Sequence, residues 1–234
     1  TATEVCSVAL FRDRLLLSER TSAGPNTHSA ILTASMGETL REAGVVPASL
    51  DAVAVSMGPG SYTGLRIGVA AAKGLCYAIG RPLVAVPTLQ GMAAGMETEI
   101  LNDKCRVPGV KSGLPYLLCP MIDARRMEVY CGLYDAGAVE VREVRAEIIG
   151  ADSFREFLAQ RPVVFGGNGA AKCREALGMD PNALFLDDFR PSARQMAALA
   201  LERIHAGRFE DLAYFEPFYL KDFVAGKPRV KGLD

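Results

Sequence analysis

The chain has 234 residues, half of them hydrophobic and 23% charged, enough apolar material for one large core or two lobes. A formal net charge of -1 gives the isolated chain no electrostatic reason to bind nucleic acid or a membrane surface strongly. No apolar run reaches the roughly 18 residues that suggest a membrane span, and no basic-then-apolar leader is read, so a cytoplasmic protein is expected.

Residues 4–11 (EVCSVALF) and 14–18 (RLLLS) flank Arg12-Asp13 and predict a β-hairpin. From 26 to 43, Ile31, Leu32, Met36, Leu40 and Ala43 fall at helical spacing, and Gly44 closes the element. Residues 52–55 form a short apolar run suited to a strand covered on both faces. It leads into Ser56 to Gly68 (SMGPGSYTGLRIG), where Gly58-Pro59-Gly60 breaks the chain and Ser61 stands as N-cap of a helix reaching about Ile79, with Gly80 as its stop.

That helix carries Gly64, Gly68 and Gly74 in its interior, which together cost about 2 to 3 kcal/mol relative to alanine. Gly64, Gly68, Ala72 and Cys76 recur every fourth residue and make a nearly bare ridge, while Tyr62, Arg66, Lys73 and Tyr77 form the polar strip. A helix apolar around most of its girth is expected to be covered on more than its sheet side.

Residues 82–86 predict a buried strand and 88–94 a short helix. Residues 95–115 lose any sustained period and carry Pro108, Gly109, Gly113 and Pro115, as a linker or surface excursion does. Strands follow at 117–122, 128–134 and 139–149, then a helix at 153–160. A strand at 163–165 ends in Gly166-Gly167-Asn168-Gly169 and is followed by a helix at 170–177, a short strand at 184–186, and a helix at 192–206 between Ser192 and Gly207.

The second half thus reads strand, strand, strand, helix, strand, glycine turn, helix, strand, helix. The first half repeats this with its opening strand absent: Glu4-Val5 matches Glu128-Val129, and nothing precedes Glu4 to match 117–122. An α/β fold of two duplicated lobes is expected, with a first strand upstream of Thr1. The lobes are drawn at 1–95 and 116–207, joined by 96–115, with a tail at 208–234 that packs back on the first lobe.

Glycine turns at helix starts suit phosphate, because free N–H groups and the positive helix end face the anion. Gly58, Gly60, Gly167, Asn168 and Gly169 qualify on position, and Ser61, Asp123 and Arg125 join them as cleft candidates. Neither turn matches GxxxxGK[ST] or leads directly into lysine, so structural turns are expected. Ser61 lacks the GxSxG frame of a nucleophile. Asp123, ahead of Arg125-Arg126, reads equally as a cleft group or as part of a charged hairpin turn. With only His28 and His205 present, no three-histidine metal site can be built, and His28 is read as solvated or partner-contacting. The six cysteines, Cys6, Cys76, Cys105, Cys119, Cys131 and Cys173, form no CxxC pair and are expected as reduced core residues. The mildly basic stretch with Lys221, Lys227, Arg229 and Lys231 is read as a solvated end.

Ser56 to Gly68, extended through Ala71-Ala72-Lys73-Gly74, strongly resembles the signature of the bacterial TsaB family, also called YeaZ. Met121 to Tyr130 (MIDARRMEVY), Phe165 to Ala170 (FGGNGA) and Phe218 to Phe223 (FYLKDF) resemble further blocks of that family in the same order. The resemblance implies the two-lobed actin-like, sugar-kinase-like ATPase fold and an opening strand completed before Thr1. It implies a non-catalytic scaffold that binds and activates a TsaD-like catalytic partner in threonylcarbamoyladenosine modification of tRNA, with a TsaE-like ATPase in the same assembly. It further implies a homodimer when alone, tRNA contact only through the complex, no membrane association, no metal and no tightly bound cofactor, with weak ATP or ADP binding in the cleft left open. Relatives pair through the first two helices, which assigns the partner contact to Ile31, Leu32, Ser35, Met36 and Leu40 and to Gly64, Leu65, Gly68, Val69, Ala72 and Cys76. The alternative is a small-molecule kinase or ATPase using the cleft between lobes. A metallopeptidase, as older names for the group suggest, needs zinc ligands that this sequence does not offer.

Overall fold

A computed structural model describes residues 1–24, 28–102, 107, 110 and 115–221. The first half contains β1 (Val5–Arg12), β2 (Leu15–Ala23), α1 (His28–Glu42), β3 (Val53–Gly58), α2 (Tyr62–Ile79), β4 (Leu83–Pro87) and α3 (Thr88–Leu101). The second contains β5 (Leu117–Asp123), β6 (Glu128–Tyr134), β7 (Glu140–Ile148), α4 (Arg155–Leu158), β8 (Val163–Gly166), α5 (Ala170–Leu177), β9 (Ala183–Leu186) and α6 (Ala197–His205). The duplicated α/β order expected from the sequence is the order found. Gly44, Gly80 and Gly207 take the left-handed conformation (φ 65° each) at the three helix ends where stops were expected.

The second half builds one five-stranded sheet in the order β7-β6-β5-β8-β9, with β5 antiparallel to β6 and parallel to β8. Side chains of β5 alternate between its two faces. Leu117, Cys119 and Met121 pack with Phe154, Leu158, Cys173 and Leu177 from the α4 and α5 side, while Leu118 and Ile122 pack on the opposite side. The first half has the same parts in two pieces: β1 pairs with β2 antiparallel, and β3 with β4 parallel. Among the described residues no ladder joins β1 to β3.

Each lobe lends its last helix to the other. Leu89, Met92, Ala93 and Met96 of α3 pack on Leu118, Ile122, Val164 and Leu186 of the second sheet. Leu199 and Ala200 of α6 pack on Val84 and Val86 of β4. The boundaries drawn at 95 and 207 therefore cut two helices away from the sheets they cover.

Four elements differ from expectation. The helix begun at Thr88 runs on to Leu101, because Gly95 is a point of close approach rather than a breaker: a Cβ there would collide with the Gln195 side chain. Residues 96–101 of the supposed linker are thus helical, and most of its remainder lies outside the described residues. β2 extends through the polar residues 19–23 because β1 pairs along its whole length. The helix expected at 153–160 shrinks to α4. Residues 193–196 form a 3-10 turn ahead of α6, with the Gln195 N–H donating to Ser192 O (3.2 Å) and the Ser192 N–H to Gln195 Oε1 (3.0 Å).

Candidate functional site

The stretch from Ser56 to Gly80 joins β3 to α2, and its geometry follows from its residue types. Ser61 Oγ accepts from the Gly64 N–H (3.3 Å), capping α2 as expected. Gly64, Leu65, Gly68, Val69, Ala72 and Cys76 are all buried within the chain's own lobe. A Cβ at Gly64 would collide with the Thr1 carbonyl oxygen, and one at Gly68 with Thr1 Oγ1. Val69, Ala72 and Cys76 pack with Val55 and Leu83. The bare ridge expected to receive a second subunit is therefore closed by the chain itself. On α1, Leu32 is buried, Ile31, Ser35, Met36 and Leu40 are half-buried, and Leu32, Met36 and Leu40 line a pocket. Both helices turn their apolar sides to the sheet, as burial of an amphipathic face requires.

The outward residues are others. On α1 they are Ala30, Thr33, Ala34, Gly37 and Arg41, and on α2, which packs beside it, Thr63, Arg66, Ala70, Gly74 and Tyr77. Among the described residues, a Cβ added at Gly37 or Gly74 meets nothing within 4 Å beyond the helix's own nearby backbone. Tyr77 is 83% exposed. The flank of α2 is held by the C-terminal segment, which crosses back to the first lobe. Lys73 Nζ donates to Ala213 O (3.1 Å) and Phe215 O (3.0 Å), the Phe218 N–H donates to Met57 O (2.7 Å), and the rings of Tyr62 and Tyr219 lie 4.6 Å apart. Lys221 is exposed, as expected, and pairs with Glu128. Lys227, Arg229 and Lys231 lie outside the described residues.

At the cleft between lobes the glycine turns serve close approach of backbone to backbone. Cβ atoms at Gly58, Gly60 and Gly167 would collide with the carbonyl oxygens of Phe218, Ala2 and Met121 respectively. The N–H groups of Gly58, Ser61 and Gly169 donate to Thr88 Oγ1 (3.1 Å), Ala2 O (2.7 Å) and Met121 O (3.1 Å).

Asp123, Arg125 and Asn168 come together around a lysine that the sequence reading missed, Lys172, in the first turn of α5. Lys172 Nζ bonds Asp123 Oδ1 and donates to Glu128 O (2.7 Å). The Arg125 N–H donates to Asp123 Oδ1 (2.8 Å), in a turn where Arg125 and Arg126 both have positive φ. The Asp123 N–H donates to Asn168 Oδ1 (3.0 Å), and Asn168 Nδ2 donates to Glu4 Oε2 of the first lobe (2.6 Å). Burial alone would raise the Asp123 carboxyl, but the bonds from Lys172 and the Arg125 N–H outweigh it and hold it below the usual carboxylate range. A lysine one turn into the helix after FGGNGA was the available signal, hidden by looking only at the residue directly after the turn.

His28 is buried, not solvated, with Nε2 2.8 Å from Thr3 O. Among the described residues no three His, Cys, Asp or Glu side chains converge to hold a metal ion. Cys6, Cys76, Cys119, Cys131 and Cys173 are buried free thiols, and burial pushes Cys173 up to about 11. Cys105 lies outside the described residues.

The family described as tRNA N6-adenosine threonylcarbamoyltransferase (TsaD) matches residues 22–227. The tRNA threonylcarbamoyladenosine biosynthesis protein TsaB of Escherichia coli K12 is 28% identical over 232 residues, 97% of this chain and 94% of that one. The protein of the same name from Bacillus subtilis 168 is 31% identical over 174 residues, 72% of this chain and 68% of that one. Among solved structures, a Pseudomonas aeruginosa protein described as uncharacterized with similarity to peptidase YEAZ gives a TM-score of 0.72 at 27% identity, covering 94% of this chain and 96% of that one.

Proposed function

The chain belongs to the TsaB (YeaZ) family of tRNA threonylcarbamoyladenosine biosynthesis proteins, and from that premise we propose that it is a non-catalytic scaffold docking a TsaD-like catalytic subunit on the outward face of α1 and α2. The observation that carries this is the pair Gly37 and Gly74. Each lies inside a helix, where it costs roughly 0.5 to 1 kcal/mol relative to alanine. Among the described residues, no atom outside the helix's own nearby backbone comes within 4 Å of where either Cβ would stand, so no packing seen among them accounts for these glycines. A second backbone seated on the helices does. The TsaD description matches most of this chain, so partner and chain share a fold, and like faces of like folds pair about a two-fold axis. The same face serves a homodimer when the partner is absent.

A scaffold role, rather than phosphoryl transfer in the cleft, is favoured because the N–H groups of Gly58, Ser61 and Gly169 donate to this chain's own oxygens and Lys172 bonds Asp123 and Glu128. In this reading ATP or ADP binds weakly if at all, a TsaE-like ATPase acts in the same assembly, and tRNA is met through the complex. No helix among the described residues is long and apolar enough to cross a membrane, and the proposal places the assembly in the cytoplasm.

The test is Ala70→Arg, a change on the exposed face of α2. Titration calorimetry with the TsaD-like subunit should show affinity reduced tenfold or more, while the thermal midpoint moves by no more than about 2 °C. Equal affinity of the two forms would overturn the interface. Turnover of magnesium-ATP by the lone chain would favour the kinase or ATPase alternative.

A further inference from the structure

The turn between β5 and β6 carries Arg125 and Arg126 side by side, both exposed and both in the left-handed conformation (φ 75° and 51°). Residues other than Gly, Asn and Asp adopt it rarely, because the Cβ crowds the backbone. The turn is nevertheless fixed on every side. The Ala124 N–H donates to Glu128 O (3.0 Å), the Glu128 N–H to Arg125 O (3.1 Å), the Arg125 N–H to Asp123 Oδ1 (2.8 Å) and the Asp123 N–H to Asn168 Oδ1 (3.0 Å). None of these bonds uses an arginine side chain, and among the described residues neither guanidinium makes a hydrogen bond or an ion pair. The carboxylates around the turn are already engaged: Asp123 by Lys172, Glu128 by Lys221 and Glu4 by Asn168. Two guanidiniums are thus held outward and unopposed at positions where glycine would sit with less strain, and no packing among the described residues accounts for them.

We infer that this turn is a phosphate contact that seats the sugar–phosphate backbone of tRNA on the assembly, an inference that rests on the scaffold reading for the presence of tRNA. A guanidinium presents a planar fork of donors that matches two phosphate oxygens at once. A turn already locked by its own backbone bonds loses little further freedom when it binds. RNA suits the site better than a free nucleotide. Sites for small molecules are concave, whereas both arginines stand exposed on a hairpin turn and neither lines the pocket beside α1. A polyanion needs only the outward pair of charges. With a net charge of -1 the chain alone holds RNA weakly, so the contact adds to what a partner subunit supplies. Phosphate contacts carry no sequence information, so the turn positions the RNA without choosing among tRNAs.

The experiment measures binding of a labelled tRNA transcript to the assembly of this chain with the TsaD-like subunit, across a potassium chloride series. The double variant Arg125→Gln, Arg126→Gln should weaken binding about tenfold, equally for tRNAs of different sequence, and lower the slope of log affinity against log salt by about 1.5. The double variant Arg125→Lys, Arg126→Lys keeps both charges and should retain most of the slope. Unchanged affinity and slope in the glutamine form overturn the contact, as does a lysine form that fails like the glutamine one. Calorimetry with the TsaD-like subunit separates the two readings. If the unaltered chain does not bind that subunit, the scaffold reading fails; if it binds and the glutamine form keeps the full salt slope, only the phosphate contact fails. Loss of affinity for the subunit in the glutamine form would make the turn a protein contact and overturn the assignment to RNA. Titration with ATP is the last arm: a glutamine form that loses ATP but not tRNA assigns the turn to a nucleotide and overturns the inference.

Discussion

At the scale of single residues, Gly68 and Gly74 show how one residue type in one helix does two jobs. Gly68 has Thr1 against it, and Gly74 has open space. Gly68→Leu should therefore destabilise the chain by about 1 to 3 kcal/mol through overpacking. Gly74→Leu should leave stability unchanged or raise it by up to about 0.8 kcal/mol on helix propensity. Urea titration of both variants checks this, and equal midpoints would contradict the packing described. The four-residue spacing of Gly64, Gly68, Ala72 and Cys76 was legible in the sequence, but not what fills the bare ridge. A glycine ridge admits any close backbone, and the backbone that came was the chain's own Thr1. His28 was misread for the same reason: its partner, Thr3 O, is a carbonyl 25 residues away that no local pattern announces.

At the scale of elements, the C-terminal segment depends on α2. Lys73 donates to two of its carbonyls, and charge-assisted bonds of this kind are worth about 1.5 to 3 kcal/mol when sheltered and less at a half-exposed site. Lys73→Met should release residues 208–221 and make them at least several-fold more susceptible to limited proteolysis, with cleavage confined there. Unchanged susceptibility would mean that the segment's other contacts, the Phe218 N–H to Met57 O, Glu210 N–H to Leu83 O, Tyr219 on Tyr62 and Lys221 with Glu128, hold it without Lys73. Element type was readable wherever periodicity and caps agreed, as in α2. It failed at α3, where Gly95 reads as a stop yet accommodates Gln195 from the far end of the chain. β2 likewise exceeded its apolar run because the ladder with β1 outweighed local composition.

At the scale of the whole molecule, the lobes are joined by exchanged helices and by a polar chain running from Glu4 through Asn168, Asp123 and Lys172 to Glu128 and Lys221. The folded Asp123 carboxyl lies below its ordinary value near 4. A depressed carboxyl contributes stability above about pH 4, and the contribution is lost as pH falls through the folded value. Asp123→Asn should lower stability at neutral pH and flatten the acid limb below about pH 4, measured by denaturant titration across pH. Parallel acid limbs in the two forms would show that the carboxylate contributes nothing.

The sequence by itself determined the order of elements, the duplication, the helix stops and the family, because each is written in neighbouring residues through periodicity, caps and local motifs. Only the tertiary structure decided which faces of α1 and α2 are exposed and which sheet α3 and α6 cover. Those are outcomes of competition among segments far apart in the chain for the same apolar surface, and the winner is fixed by geometry that no local stretch encodes.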